Sequence, residues 1–422
     1  MASFTITFSC FKEATGQKKK ERAQPFTALL RFSASLLHGM ARCVSRGIHI
    51  LMPPALHKQE EERKGSWEVM TTRGVLVSML WLLVCGSGTF PAGCMAGKVP
   101  AVIVFGDSTV DPGNNNQIDT VLKSDFEPYG RDFFQGRPTG RFSNGRLGTD
   151  FVGEFLGVKP AIPAYLDPMY NISDFATGVS FASAGTGYDN ATSDVLDVIP
   201  LWQEVEYFKD YQKRLKHFLG EDKATQTING ALYLISIGTN DFLENYYAMP
   251  QRRTEFSVEE YEDFLVKIAA GFIRQLHGLG ARKICLCGIA PMGCLPLERT
   301  TNFFMGSECI EELNEVALAF NAKLGAMVKT LNLELPDIRL TLSNPYDVLL
   351  EAIRKPSLHG FDVVSLGCCS TGLLEMGYLC NKLSPYTCED ADKYVFWDAF
   401  HPTEKMNRIF AQHLVNDLPP LS

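Results

Sequence analysis

An α/β domain, with a parallel sheet covered by helices on both faces, is the fold class this sequence predicts. Three observations carry that reading. Five short runs are almost continuously apolar: Ala101–Phe105, Val179–Ala182, Leu232–Ile237, Lys283–Ile289 and Ile338–Leu342. Strands buried on both faces lose the alternation seen in half-solvated ones. Between the runs, apolar residues return every three or four positions, the period of an amphipathic helix. Helical ends are also marked by capping residues, glycine and proline.

The elements follow in order. The first two runs precede a helical pattern made by Trp202, Val205, Phe208, Tyr211, Leu215 and Phe218. After the third run come Tyr261, Phe264, Leu265, Ile268, Phe272 and Leu276 at helical spacing. Ser257 and Glu260 open that helix as a capping box, each side chain serving the other's backbone N–H, and Gly278 and Gly280 close it. A third helix runs through Leu313, Val316, Ala317, Phe320, Leu324, Met327, Val328 and Leu331, ending before Pro336. Strand–helix alternation of this kind builds parallel sheets with right-handed crossovers. Without an internal repeat or long linker, residues 97–422 read as a single domain.

The chain has 422 residues, 45% of them hydrophobic and 21% charged. Such proportions support a large core and exclude a coiled coil or a disordered chain. Net charge is −8, but the first 96 residues hold 12 Lys and Arg against 6 Asp and Glu, leaving 28 against 42 beyond them. So acidic a domain repels polyphosphate, and a nucleic-acid partner is not expected. No apolar run approaches the ~20 residues needed to span a bilayer, so no transmembrane segment is expected.

Residues 1–69 carry the Lys18–Lys20 and Glu60–Glu62 runs, Pro53-Pro54 and no sustained apolar period. They read as a disordered extension, with a Ser/Arg content faintly like an organelle transit peptide. Residues 70–96 have the layout of a secretory signal: Arg73, the apolar run Val75–Cys85, then small residues to Ala96. Cleavage after Ala96 is preferred, with Cys94 an alternative. A signal is read at the N-terminus, so Met70 is the expected working start and the product is expected to be extracellular. Among the cysteines beyond it, Cys285 and Cys287 share one face of an apolar strand and read as buried thiols. Cys294, Cys309, Cys368, Cys369, Cys380 and Cys388 read as three disulfides, whose pairing sequence leaves open. Two loop-placed sequons, at Asn171 and Asn190, are expected glycosylation sites. Neither HExxH nor zinc-ribbon spacing occurs, and no metal is expected.

In parallel sheets of this kind, ligands gather beyond the carboxyl ends of the strands. The first run leads into Gly106-Asp107-Ser108, the second into Ser183-Ala184-Gly185-Thr186-Gly187 and the third into Gly238-Thr239-Asn240-Asp241. A serine hydroxyl needs a base to become a nucleophile. Ser108 fits that role on a sharp turn, or else caps a following helix; Asp107 is expected to bond local backbone. His217, His277 and His413 fall inside helical patterns, and His359 has no carboxylate nearer than Asp362. His401 has Asp398 three residues before it and Pro402 after it. A carboxylate there can take the Nδ1 proton and support the imidazolium formed during attack. Backbone N–H groups of Ser108 and Gly185 and the Asn240 amide could hold an oxyanion, although Gly185, Gly187 and Asn240 could also be plain turn residues. Tyr246-Tyr247 and Phe303–Met305 read as ordinary packing before acyl-pocket lining.

The succession GDS, FASAGTG, GTND and DAFHP resembles the SGNH (GDSL) hydrolase family, in particular its plant esterase/lipase branch. VFGDSTVDPGNNN (104–116), PYGRDFFQGRPTGRFSNG (128–145), APMGCLP (290–296) and YVFWDAFHPTE (394–404) are similar to the same branch, and the likeness runs from about residue 100 to 415. It implies a three-layer flavodoxin-like fold with strand order 2-1-3-4-5. It further implies Ser108 as nucleophile, His401 as base, Asp398 as its orienting carboxylate, and Asn240 with Gly185, or secondly Gly187, at the oxyanion. The signature's leucine is Thr109 here. The implied protein is a secreted carboxylic-ester hydrolase working through an acyl-serine, without a cofactor, on a small or polymer-linked ester. A GxSxG hydrolase is excluded because residues 97–422 lack that string. The rival from another class is a secreted ligand- or carbohydrate-binding protein on the same scaffold.

Overall fold

The computed structural model describes residues 99–301 and 308–421. The extension, the signal segment and Phe303–Met305 lie outside them. The five expected strands form one parallel sheet: β1 (Val102–Gly106), β2 (Gly178–Ser180), β3 (Leu232–Ser236), β4 (Lys283–Cys287) and β5 (Arg339–Ser343). Their order is β2-β1-β3-β4-β5, as the resemblance implies.

Alternate residues of β1 enter different cores, the direct result of a two-residue side-chain period. Ile103 and Phe105 face the larger cluster, where Phe105 meets Phe208 and Phe272 edge-on. Val102 and Val104 face the smaller one with Phe151, Val152 and Ala411. Helix α1 (Gly148–Phe155) covers the second face. Helices α2 (Leu201–Leu219), α3 (Val258–Gly278) and α4 (Glu311–Glu334) supply the first. Helix α5 (Pro345–Arg354) follows β5, and α6 (Glu404–Asp417) returns beside α1 to complete the second face. Fully burying one such Leu or Phe contributes about 2 kcal/mol, so these apolar stripes dominate the fold's stability.

Helix α3 begins as its sequence predicts: Ser257 Oγ accepts from Glu260 N at 3.3 Å, and Glu260 Oε2 accepts from Ser257 N at 2.8 Å. Six cysteines pair as Cys294–Cys309, Cys368–Cys388 and Cys369–Cys380, while Cys285 and Cys287 remain thiols. The Asn190 sequon is not in a loop. Asn190 opens a short helix, Asn190–Val195, because the Asp189 side chain accepts from Ala191 N and caps it.

Two further strands, β6 (Val363–Gly367) and β7 (Tyr394–Phe396), form a separate parallel pair. Their ladder continues through Cys368 N to Phe396 O (3.0 Å) and Cys369 N to Trp397 O (2.7 Å). Both disulfides of segment 368–388 thus start where β7 hands over to Asp398. Gly367 allows this approach, since a β-carbon there would stand 2.5 Å from Asp398 O.

Candidate active site

The chain reverses direction in the sheet between β1 and β3, which puts three adjacent carboxyl ends, those of β2, β1 and β3, along one rim. Ser108 leaves the middle strand, Gly185 follows one neighbour and Asn240 the other.

Ser108 sits in a tight turn closed by Val110 N to Asp107 O at 3.1 Å, and it caps no helix. The turn is possible because Gly106 has φ +137°, and a β-carbon there would meet Ser236 O at 1.9 Å. Asp107 bonds locally, as expected: its Oδ1 accepts from Thr109 N (2.9 Å) and Thr109 Oγ1 (2.6 Å). Burial pushes its carboxyl up to about 6, partly offset by those bonds and by His401 nearby. From α2, Glu204 Oε2 accepts the Gly106 N–H at 3.0 Å, and burial holds this carboxyl well above its ordinary range.

Gly185 has φ +88°, a conformation that favours glycine. Asp111 ties its loop to the Ser108 turn, accepting from Gly113 N (2.8 Å), Asn114 N (2.7 Å) and Ala184 N (3.1 Å). Asn115 Nδ2 donates to Ala184 O at 3.0 Å. Burial raises Asp111 to about 6 despite those donors. Asn240 Nδ2 donates to Thr186 O at 3.0 Å, which draws the third loop onto the second and leaves its other amide hydrogen uncommitted. Asp241, beside it, accepts from Tyr188 N (2.8 Å), Asp189 N (3.0 Å) and Thr192 Oγ1 (2.7 Å), and burial lifts its carboxyl to about 7.

Asp398 and His401 are buried together. His401 Nδ1 lies 2.8 Å from Asp398 Oδ2 and 3.0 Å from Oδ1. Phe400 N (2.8 Å) and His401 N (2.6 Å) also donate to Oδ1, so the carboxylate's own turn fixes it. A fourth donor arrives from far away: Tyr129 Oη gives its proton to Asp398 Oδ2 at 2.7 Å while accepting Gly377 N–H at 2.9 Å. Phe142 packs on the imidazole, ring centroids 4.9 Å apart. Its neighbour Arg141 is anchored by a buried bidentate pair with Asp150, 2.8 and 2.9 Å. With a carboxylate at Nδ1, that nitrogen carries the proton and Nε2 keeps a lone pair. Nε2 is buried and without a hydrogen-bond partner. The Ser108 hydroxyl makes no hydrogen bond to it.

The remaining histidines stand elsewhere. His217, His277 and His413 lie in α2, α3 and α6, and His359 ends the short helix Pro356–His359, 3.9 Å from Glu351. Tyr246 stacks on Tyr261 and meets Tyr247 edge-on, which is packing. Among the described residues, no three His, Cys, Asp or Glu groups converge as metal ligands, and no helix is long and apolar enough to cross a membrane.

A parallel sheet in this order, with a serine turn and a carboxylate–imidazole pair at its rim, has the architecture of a serine hydrolase. The chain belongs to the GDSL-like lipase/acylhydrolase family, whose model it matches over residues 102–414. Similar proteins include three from Arabidopsis thaliana, each bearing the name GDSL esterase/lipase. One is 59% identical over 345 residues, covering 82% of this chain and 97% of the relative. A second is 63% identical over 318 residues, covering 75% and 91%. The third is 57% identical over 324 residues, covering 77% and 93%.

Proposed function

We propose that this protein is a secreted carboxylic-ester hydrolase working through an acyl-enzyme on Ser108. Ser108 attacks the ester carbonyl as His401 Nε2 takes its proton, and Asp398 supports the imidazolium through Nδ1. The oxyanion is met by the Ser108 and Gly185 N–H groups and the free hydrogen of the Asn240 amide, each donor contributing about 10²–10³ in rate. His401 then protonates the departing alcohol. Water, activated by the same imidazole, releases the acid and restores the hydroxyl.

The observation that carries this reading is the Asp398–His401 pair, which leaves Nε2 unpartnered, with His401 near enough to Asp107, the neighbour of Ser108, to offset part of the rise that burial gives its carboxyl. The relatives' shared name, esterase/lipase, supports the ester bond as target. Residues 97–422 are then the single catalytic domain, residues 70–96 its export signal, and Asn171 and Asn190, both exposed, its glycosylation sites. Three disulfides agree with an oxidising destination.

A fluorophosphonate probe should label the wild type and not Ser108→Ala, and p-nitrophenyl acetate turnover should vanish in that variant and in His401→Ala. Equal labelling of wild type and Ser108→Ala rejects the nucleophile. Mass spectrometry of secreted material should find no peptide from residues 1–69.

A further inference from the structure

A cavity of about 140 Å³ lies at the carboxyl ends of β3, β4 and β5 and against α5 and α6. Leu234, Val348, Leu349, Phe410, Ala411 and Leu414 line it, together with the free thiol of Cys287. The same cavity is lined by chain neighbours of Ser108, Asn240 and His401. Asp107 and Thr109 flank Ser108, Thr239 precedes Asn240, and Phe400 and Pro402 flank His401. Ser108, Gly185, Asn240 and His401 are not themselves in its wall, but these neighbours bring it within one residue of three of them, on the side of the sheet away from β2.

The chemistry of the wall selects the occupant. The wall is mostly apolar, with Ser343, Asn344, Asn407 and His413 among its polar exceptions, and a sugar hydroxyl or a charge placed against its aliphatic part would lose water without regaining its hydrogen bonds, a cost of several kcal/mol. An aliphatic chain gains about 0.8 kcal/mol for each methylene buried. Size sets the length, since a dry apolar cavity of about 150 Å³ accommodates one benzene, about six carbons.

We propose that this cavity receives the acyl tail of the ester, making the enzyme selective for linear acids of about four to eight carbons. The assignment rests on the hydrolase reading above. It gives that reading a substrate class, and it locates selectivity in α5, α6 and Cys287 rather than at the rim.

The test is a p-nitrophenyl ester panel from C2 to C16, run on wild type, Cys287→Phe and Val348→Phe. Acetate, too short to enter the cavity, is the internal reference for each protein. In wild type, kcat/KM should climb about fourfold per added methylene, some two-hundredfold from C2 to C6, and then level off. Either filled variant should flatten that climb, lowering its C6-to-C2 ratio by about a hundredfold. Calorimetric titration with octanoate supplies a readout independent of turnover, with binding to wild type lost in both variants. Acetate turnover with an unchanged chain-length profile in the filled variants overturns the cavity and spares the hydrolase. Octanoate binding that the variants abolish, with no ester turnover by wild type, spares the cavity and overturns the hydrolase.

Discussion

Asp398→Asn tests the catalytic geometry most sharply, because its effect follows from the four donors around that carboxylate. Oδ1 accepts two backbone N–H groups, from Phe400 and His401, so the asparagine oxygen must stay there. Its amide nitrogen then takes the place of Oδ2, facing His401 Nδ1 and Tyr129 Oη. An N–H donor opposite Nδ1 forces the proton onto Nε2, where the lone pair was needed. The base becomes the wrong tautomer while every ring contact is kept. Loss of a correctly oriented base by this route costs about 10⁴ in kcat, or about 5 kcal/mol of barrier. Stability should fall far less, by roughly 1–3 kcal/mol for one mismatched hydrogen bond. The assay is p-nitrophenyl acetate turnover with the fluorophosphonate labelling rate and a melting curve alongside. A folded Asp398→Asn protein within tenfold of wild-type kcat would show that His401 is not the base, or that Asp398 does not set its tautomer.

Tyr129→Phe keeps the ring's contacts but removes a donor to Asp398 and strands the buried Gly377 N–H; it should lower stability by about 3 kcal/mol. A normal melting temperature with normal kcat would mean that this bridge has no weight. Burial, with Asp107 and Asp241 nearby, raises Glu244 to about 8, whereas the unfolded chain releases that proton near 4.5. The folded state therefore holds a proton that the unfolded state lacks, so this stability is present below about pH 4.5 and is lost as pH rises through about 8. Glu244→Gln should gain on wild type in melting temperature between pH 5 and 8; a difference constant with pH would contradict the shift. Non-reducing peptide mapping should return Cys294–Cys309, Cys368–Cys388 and Cys369–Cys380, with Cys285 and Cys287 alkylated only after denaturation. Any other pairing refutes the placement of segment 368–388.

Much of the sheet was legible because its strands are buried on both faces: Ala101–Phe105 and Leu232–Ile237 read as apolar blocks, and β1 ends one residue past the first while β3 lies inside the second. The Ser257 and Glu260 cap was equally plain, being a local exchange three residues wide. β6 and β7 were not seen, since one is only partly buried, the other has three residues, and their pairing is long-range. At the candidate site, spacing and neighbours singled out Ser108, Asp398 and His401 only weakly, and the succession of motifs that resembles the family made the reading specific. Tyr129 did not, because it reaches Asp398 across 269 positions and no local pattern encodes such a meeting. Asp111 and Asn115 belonged to a stretch noted only for its likeness, yet they join the loops of β1 and β2. The resemblance ranked Gly185 before Gly187 at the oxyanion; both positions require glycine, Gly185 for its φ of +88° and Gly187 because a β-carbon would strike Asp241 Oδ1 at 2.3 Å.

The carboxylate at 398 is held by its own turn and by a phenol from the opposite end of the domain, itself steadied by a loop between two cystines. On the proposed mechanism, a polypeptide still emerging, or one stopped short of that turn, would hold Ser108 but lack the group that takes its proton. The base would be set only after Tyr129, Gly377 and Asp398 have met, so assembly of that bridge would precede the first turnover.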